Sequence, residues 1–162
     1  MKQLLTAILA FILSLNFIQA ENRIVISKKD YKLYVIDNDK VVFSTRVCLG
    51  MNTGNKTRRG DHKTPEGNFA IASIENSSYW KDFDGKYRAS YGPWFLRLNV
   101  PKFRAIGIHG TNEPESIGTR ASMGCVRLKN DDIAKLKEIV KVGTKVTILK
   151  ENESFTPPAA AK

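Results

Sequence analysis

The sequence predicts a mainly β, single-domain fold with one packed helix. Three observations carry this. The first half is a succession of β-branched, alternating runs separated by Asp, Asn and Gly. One later segment, beginning at Asn130, shows helical spacing of its apolar residues. The chain has 162 residues, and without the first 20, which read as a leader, what remains is long enough for one domain with a real core and too short for two.

The N-terminus sets the expected compartment. Met1-Lys2 gives a positive start, Leu4 to Leu15 is apolar apart from Thr6 and Ser14, and Asn16-Phe17-Ile18-Gln19-Ala20 leads to the charged Glu21-Asn22-Arg23. This is the layout of a secretory signal peptide over residues 1–20, although Ile18 stands where a small residue is preferred. The alternative is an uncleaved membrane anchor, against which the shortness of the apolar run argues. Either way the body, residues 21–150, is expected outside the cytoplasm, in the periplasm or cell wall.

Ile24-Val25-Ile26-Ser27 reads as a first strand. Tyr31 to Ile36 alternates with Tyr31, Leu33 and Val35 on one face, and Asp37-Asn38-Asp39 is turn material. Lys40 to Leu49 returns as the second arm of the hairpin, with Val41, Phe43, Thr45 and Val47 sharing a face and Cys48 on the other. Residues 50–65 form a loop rich in Gly, Asn, Thr and charge, and Gly67 to Ala72 restarts a strand. Glu75 to Gly92 is polar and aromatic without a period, the signature of a functional loop or lid. Pro93 to Val100 and Ala105 to Ile108 read as further strands, the second ending at His109-Gly110.

For the helix, Asn130 is the expected N-cap, Asp131 and Asp132 favour the positive end of the dipole, and Ile133, Leu136, Ile139 and Val140 form the buried stripe. Gly143 stops it, and Lys145 to Leu149 closes the domain as a strand. Residues 151–162, with Pro157-Pro158 and a run of alanines, lack periodicity and are expected to be a flexible tail.

The formal charge of +10 is spread along the chain apart from Lys56-Thr57-Arg58-Arg59. No nucleic-acid motif accompanies it, so nucleic acid is not an expected partner. A soluble cationic surface is the plain reading, and attraction to anionic wall polymers is compatible with it. Cys48 and Cys125, with His62 and His109, match no zinc spacing. In an oxidising compartment a Cys48–Cys125 disulfide is the plain alternative to a catalytic thiol.

Two segments carry candidate chemistry. Ile106-Gly107-Ile108-His109-Gly110-Thr111 is a strand ending on a histidine, and Ser122-Met123-Gly124-Cys125-Val126-Arg127-Leu128 places a turn-like glycine before a cysteine. A thiol becomes a strong nucleophile when a neighbouring imidazole takes its proton. Gly124 allows close backbone approach, so the Gly124 and Cys125 amides can point at a developing oxyanion. His109 needs an orienting group, which the carbonyl of Gly110 can supply. Arg127 can pair a substrate carboxylate through its planar fork. Structural roles stand beside these: a lone cysteine is usually a small buried hydrophobe, and a lone histidine a satisfied polar group.

The paired elements resemble the L,D-transpeptidase catalytic domain, or YkuD domain. That family carries a histidine-glycine-threonine element followed by serine-x-glycine-cysteine-aliphatic-arginine. Asn130 and Asp132 also sit where members commonly have polar residues, and Thr64-Pro65-Glu66-Gly67-Asn68-Phe69 looks like the family's threonine-proline-x-glycine strand start. The similarity extends from about Ile24 to Leu149. One departure is Met123, where many members have histidine.

The resemblance implies a sandwich-like or barrel-like β fold with Cys125 as nucleophile, His109 as base, and Gly110 and Gly124 in support. It implies peptidoglycan stem peptides as partners, no cofactor, and acylation by carbapenems; the sequence leaves the oligomeric state open, with a monomer as the default expectation. Arg127, Ser122, Thr111, Tyr91 and Trp94 are the candidate substrate-binding residues. Water in place of an amine acceptor would make the enzyme an L,D-carboxypeptidase or amide hydrolase. Loss of catalysis would leave a wall-binding module.

Overall fold

The computed structural model describes residues 22–157, so the expected signal peptide lies outside the described residues. The strands are β1 (Arg23–Ser27), β2 (Lys32–Asp37), β3 (Lys40–Arg46), β4 (Leu49–Gly50), β5 (Gly67–Asn76), β6 (Trp94–Leu98), β7 (Gly107–His109), β8 (Arg120–Ser122), β9 (Val126–Arg127) and β10 (Lys145–Ile148). The helix α1 spans Asn130–Ile139, and a 3-10 turn covers Pro114–Ser116. No helix among the described residues is long and apolar enough to cross a membrane.

One eight-stranded sheet runs β3-β2-β1-β10-β5-β6-β7-β9, and β4 pairs with β8 in a short parallel ribbon. The sheet curls. Just past edge strand β3, Cys48 exchanges two backbone hydrogen bonds with Arg127 of the opposite edge strand β9, at 2.9 and 3.0 Å. This edge-to-edge pin gives the mainly β fold its barrel-like character and protects two edges that would otherwise be unpaired.

The expected hairpin is present, with β2 and β3 antiparallel and Phe43, Thr45 and Val47 turned further inward than Ser44 and Arg46. Cys48 departs from the expected alternation. The strand ends at Arg46, the chain bends to reach β9, and Cys48 becomes fully buried with the core. The core takes Ile24, Ile26, Leu33 and Val35 from the hairpin side and Leu96, Leu98, Ile108 and Val126 from the other. Each such buried aliphatic contributes roughly 1.5–3 kcal/mol.

Helix α1 buries Ile133 and Leu136 and packs on β6 and β7. Its expected cap is different. Lys129 is the N-cap and offers no side-chain bond, while Asn130 opens the helix and its Oδ1 accepts the Thr111 N–H at 2.9 Å. That bond ties the helix start to the loop after β7.

A buried charge network joins three remote segments. Lys28 has no exposure; its Nζ donates to Glu66 (2.7 Å), Glu151 (2.9 Å) and the Gly54 carbonyl (2.8 Å). Arg120 also pairs with Glu151 and donates to the Gly50 carbonyl at 2.9 Å. The segment after β10 therefore makes contacts at Glu151, and again at Phe155, whose ring lies 4.9 Å from that of Tyr34.

Candidate active site

Strands β7 and β9 are parallel neighbours, with Ile108 opposite Val126 and His109 opposite Arg127. Paired residues share a face, and side chains alternate along each strand. His109 and Arg127 therefore share one face, and Cys125, two residues before Arg127, joins them. Cys125 and His109 are diagonal neighbours, within reach of each other's side chains across a ladder. On the next strand, Phe95 pairs with His109 and Arg97 with Gly107. The same face thus carries Phe95, Arg97, His109, Cys125 and Arg127.

His109 is 3% exposed. Its Nδ1 lies 2.6 Å from the Gly110 carbonyl. A carbonyl only accepts, so Nδ1 carries the proton and Nε2 is left as the basic nitrogen. Phe95 stacks on the imidazole with centroids 5.3 Å apart and planes within 10°, and Tyr91 leans on it at 5.3 Å. Burial is the main influence on His109 and pushes it down to about 4; the Gly110 bond opposes this and the nearby Arg127 charge adds to it.

Cys125 follows a tight turn. Ser122 is 1% exposed, and its hydroxyl donates to the Cys125 carbonyl (2.6 Å) and accepts the Gly124 N–H (3.1 Å). The Gly124 amide is thus engaged within the turn rather than aimed at an oxyanion, which corrects that expectation. Gly124 has φ +123°, and a Cβ there would lie 2.7 Å from the Lys63 carbonyl, so the turn closes against the loop before Thr64-Pro65. Both cysteines are free thiols.

Burial pushes the Cys125 thiol up. The Gly107 N–H and the charges of Arg127, Lys56 and Arg97 act in the opposite direction. Each of these cations is held by its own carboxylate: Arg127 by Glu113, Lys56 by Asp61 and Arg97 by Glu75, all at 2.7 Å. The Cys125 thiol donates to the Ala105 carbonyl at 3.4 Å, and the imidazole to that of Gly110.

Among the other candidates, Tyr91 lies at the site against His109, and burial is the main influence pushing its phenol up. Trp94 does not join them. It alternates with Phe95 onto the opposite face, where Lys137 of α1 lies 4.7 Å from its ring. Thr111 is 2% exposed, with its N–H on Asn130 and its hydroxyl accepting from Glu113 N–H, so it shapes the loop rather than a cleft. Ser122 likewise positions Cys125. The loop from 77 to 93 folds over the aromatic side of the site: Trp80 packs 5.3 Å from Phe95 and 5.7 Å from Tyr91.

With this geometry in place, the chain's relatives are informative. The L,D-transpeptidase catalytic domain model matches residues 21–148. The chain belongs to this family. It is 30% identical over 145 residues to YqjB of Bacillus subtilis, a protein named as an L,D-transpeptidase, covering 86% of this chain and 78% of that one. It is 30% identical to YkuD of Bacillus licheniformis over 78% of this chain and 64% of that one. The catalytic domain of the Enterococcus faecium L,D-transpeptidase superposes with TM-score 0.61 at 20% identity, covering 80% of this chain and 98% of that domain, which establishes the shared fold. The chain spans about half the length of several larger solved proteins of this fold.

Within this L,D-transpeptidase domain, Phe95, Gly107 and Lys56 were not among the sequence candidates. Gly107 leaves the space that the Phe95 ring occupies against His109; a Cβ there would fall inside van der Waals contact of two Phe95 ring atoms and 2.8 Å from the Leu96 carbonyl. The glycine two residues before His109 was visible, but its partner across the ladder was not. Gly107→Ala is expected to unstack Phe95 and lower the rate of Cys125 acylation by about 10-fold or more, since a small misplacement of a catalytic group is enough for that. The measurement is the acylation rate, with a circular dichroism spectrum to show an intact fold.

The depressed His109 also sets a pH dependence. An unfolded histidine titrates near its ordinary 6.5, whereas the folded one titrates near 4. Between these values the unfolded chain binds more protons, so stability is fully present above about 6.5 and is lost as pH falls through 4. The loss amounts to about 3 kcal/mol at its limit. Thermal midpoints of the wild type should fall more steeply between pH 7 and 4 than those of His109→Gln; parallel curves would exclude the effect.

Proposed function

We propose that this chain is an exported cysteine L,D-transpeptidase acting on peptidoglycan stem peptides. The observation that carries the proposal is the placement of Cys125 and His109 on one sheet face, with the imidazole proton held on Nδ1 by Gly110 and Nε2 left basic.

In this reading Nε2 of His109 takes the Cys125 proton as Sγ attacks the carbonyl between an L-centre and the terminal D-residue. The Cys125 N–H serves the oxyanion, because Gly124 N–H is engaged by Ser122. Collapse breaks the C–N bond, and His109 returns its proton to the departing amine. A thioester remains on Cys125. An acceptor amine attacks it, loses a proton to His109 and leaves a new amide as the thiol re-forms. Residues 1–20 are the export signal, and Cys125 is the site that a carbapenem would acylate. Met123, two residues before the nucleophile, is 62% exposed, so an apolar thioether is presented to solvent there.

Mass spectrometry of tetrapeptide wall fragments incubated with the mature protein tests the proposal, beside a Cys125→Ala control. Cross-linked dimers absent from the control are expected. Tripeptides without dimers would mean that water resolves the thioester, and identical traces would overturn the reading.

A further inference from the structure

Arg127 is half-engaged. Its Nη1 donates to Glu113 at 2.7 Å, and Glu113 is 52% exposed while the arginine side chain is 18% exposed. Its Nε is buried and finds no acceptor among the described residues. A buried donor without a partner carries a desolvation cost that a second oxygen would remove. The natural complement of a guanidinium fork is a carboxylate bound through two oxygens. A single contact from a solvent-exposed glutamate is the weaker alternative, because exposed ion pairs contribute little.

Position adds to this. Arg127 lies on the face that carries His109 and Cys125, opposite His109 in the ladder. Glu113 reaches it from the loop after β7, whose course is set by the Thr111 hydroxyl and by Asn130. A peptide carboxylate entering toward Cys125 therefore meets a cation whose outer nitrogen is already covered.

We propose that Glu113 is a displaceable stand-in for the substrate carboxylate: it covers Arg127 in the free protein and gives way when the terminal carboxylate of the donor stem binds. The proposal rests on the transpeptidase reading for the identity of the ligand. It makes Glu113 a specificity-determining residue, one that holds off weakly bound anions and is exchanged only for a carboxylate able to engage the fork more fully.

The test uses tetrapeptide stems ending in a D-residue, as the free carboxylate and as the carboxamide, titrated into Cys125→Ala protein with and without Glu113→Gln. Removing the competing carboxylate should tighten the free-acid stem about three- to fivefold, the value of one exposed ion pair. The carboxamide should bind the two proteins alike, and Arg127→Lys should abolish the difference between the two stems. An unchanged or weaker dissociation constant for the free acid, an equal gain for the carboxamide, or no binding of the free acid would each overturn the proposal. Acylation of the intact protein by the same stem is followed separately. Absence of the thioester would sink the transpeptidase reading, while the titrations would still decide the role of Glu113.

Discussion

On the proposed mechanism, Cys125→Ala is expected to eliminate the acyl-enzyme and every cross-linked product, a loss of at least about 10⁴-fold, because the thioester forms on that sulfur. His109→Ala is expected to come close to this, since a thiol pushed up by burial needs a base to remove its proton. The double variant should be little worse than either single one, because the two residues act as a unit. Alkylation of the thiol by iodoacetamide provides an independent readout: it should slow in His109→Ala and, at residue 125, disappear in Cys125→Ala. Loss of Phe95 stacking could lower stability in the histidine variant, so its thermal midpoint is measured alongside. Retained cross-linking in Cys125→Ala would remove the cysteine from the mechanism.

Lys28→Ala is expected to destabilise the fold by about 3–5 kcal/mol, the cost of breaking a buried ion pair by deleting one partner. The reason lies in what is left behind. Glu66 and Glu151 converge on the Lys28 ammonium at 2.7 and 2.9 Å, and the Gly54 carbonyl accepts from it at 2.8 Å. Without the lysine, Arg120 still reaches Glu151, but Glu66 loses its cation and the two carboxylates repel. The same residues hold the loop before β5, and that loop closes on Gly124 beside Cys125. Urea unfolding followed by circular dichroism gives the free energy. A Lys28→Met variant, which preserves the apolar stem, should recover part of the packing but not the pairing. A loss below about 1 kcal/mol in Lys28→Ala would show that the network contributes no net stability.

Much of the fold was legible in the sequence. β-branched alternation marked the hairpin arms, and helical spacing marked α1, because these signals depend on the local period of the chain. The residues gathered at the candidate site were also visible in the sequence, since Cys125, His109 and Arg127 stand out by residue type and lie in two short segments. Where the reading departed from the structure, a non-local contact decided. Asn130 looked like a cap and instead serves Thr111. Cys48 looked like an outer-face residue until the chain left β3 to pair with β9. Trp94 looked like a cleft aromatic, yet strand alternation gave the site to Phe95.

By itself, then, the sequence determined which residue types could do the chemistry and which segments would be strands or helix, because propensity, alternation and turn chemistry act over a few residues. The tertiary structure alone decided the register of β7 against β9, which sets Cys125 diagonally to His109, and the pairing of β6 with β7, which lays Phe95 on the imidazole in the space left by Gly107. It also decided that Lys28 would be buried among carboxylates from segments far along the chain. Register and burial are set by the packing of the whole core, and a one-residue slip in either strand pair would turn the candidate site's side chains to the opposite face.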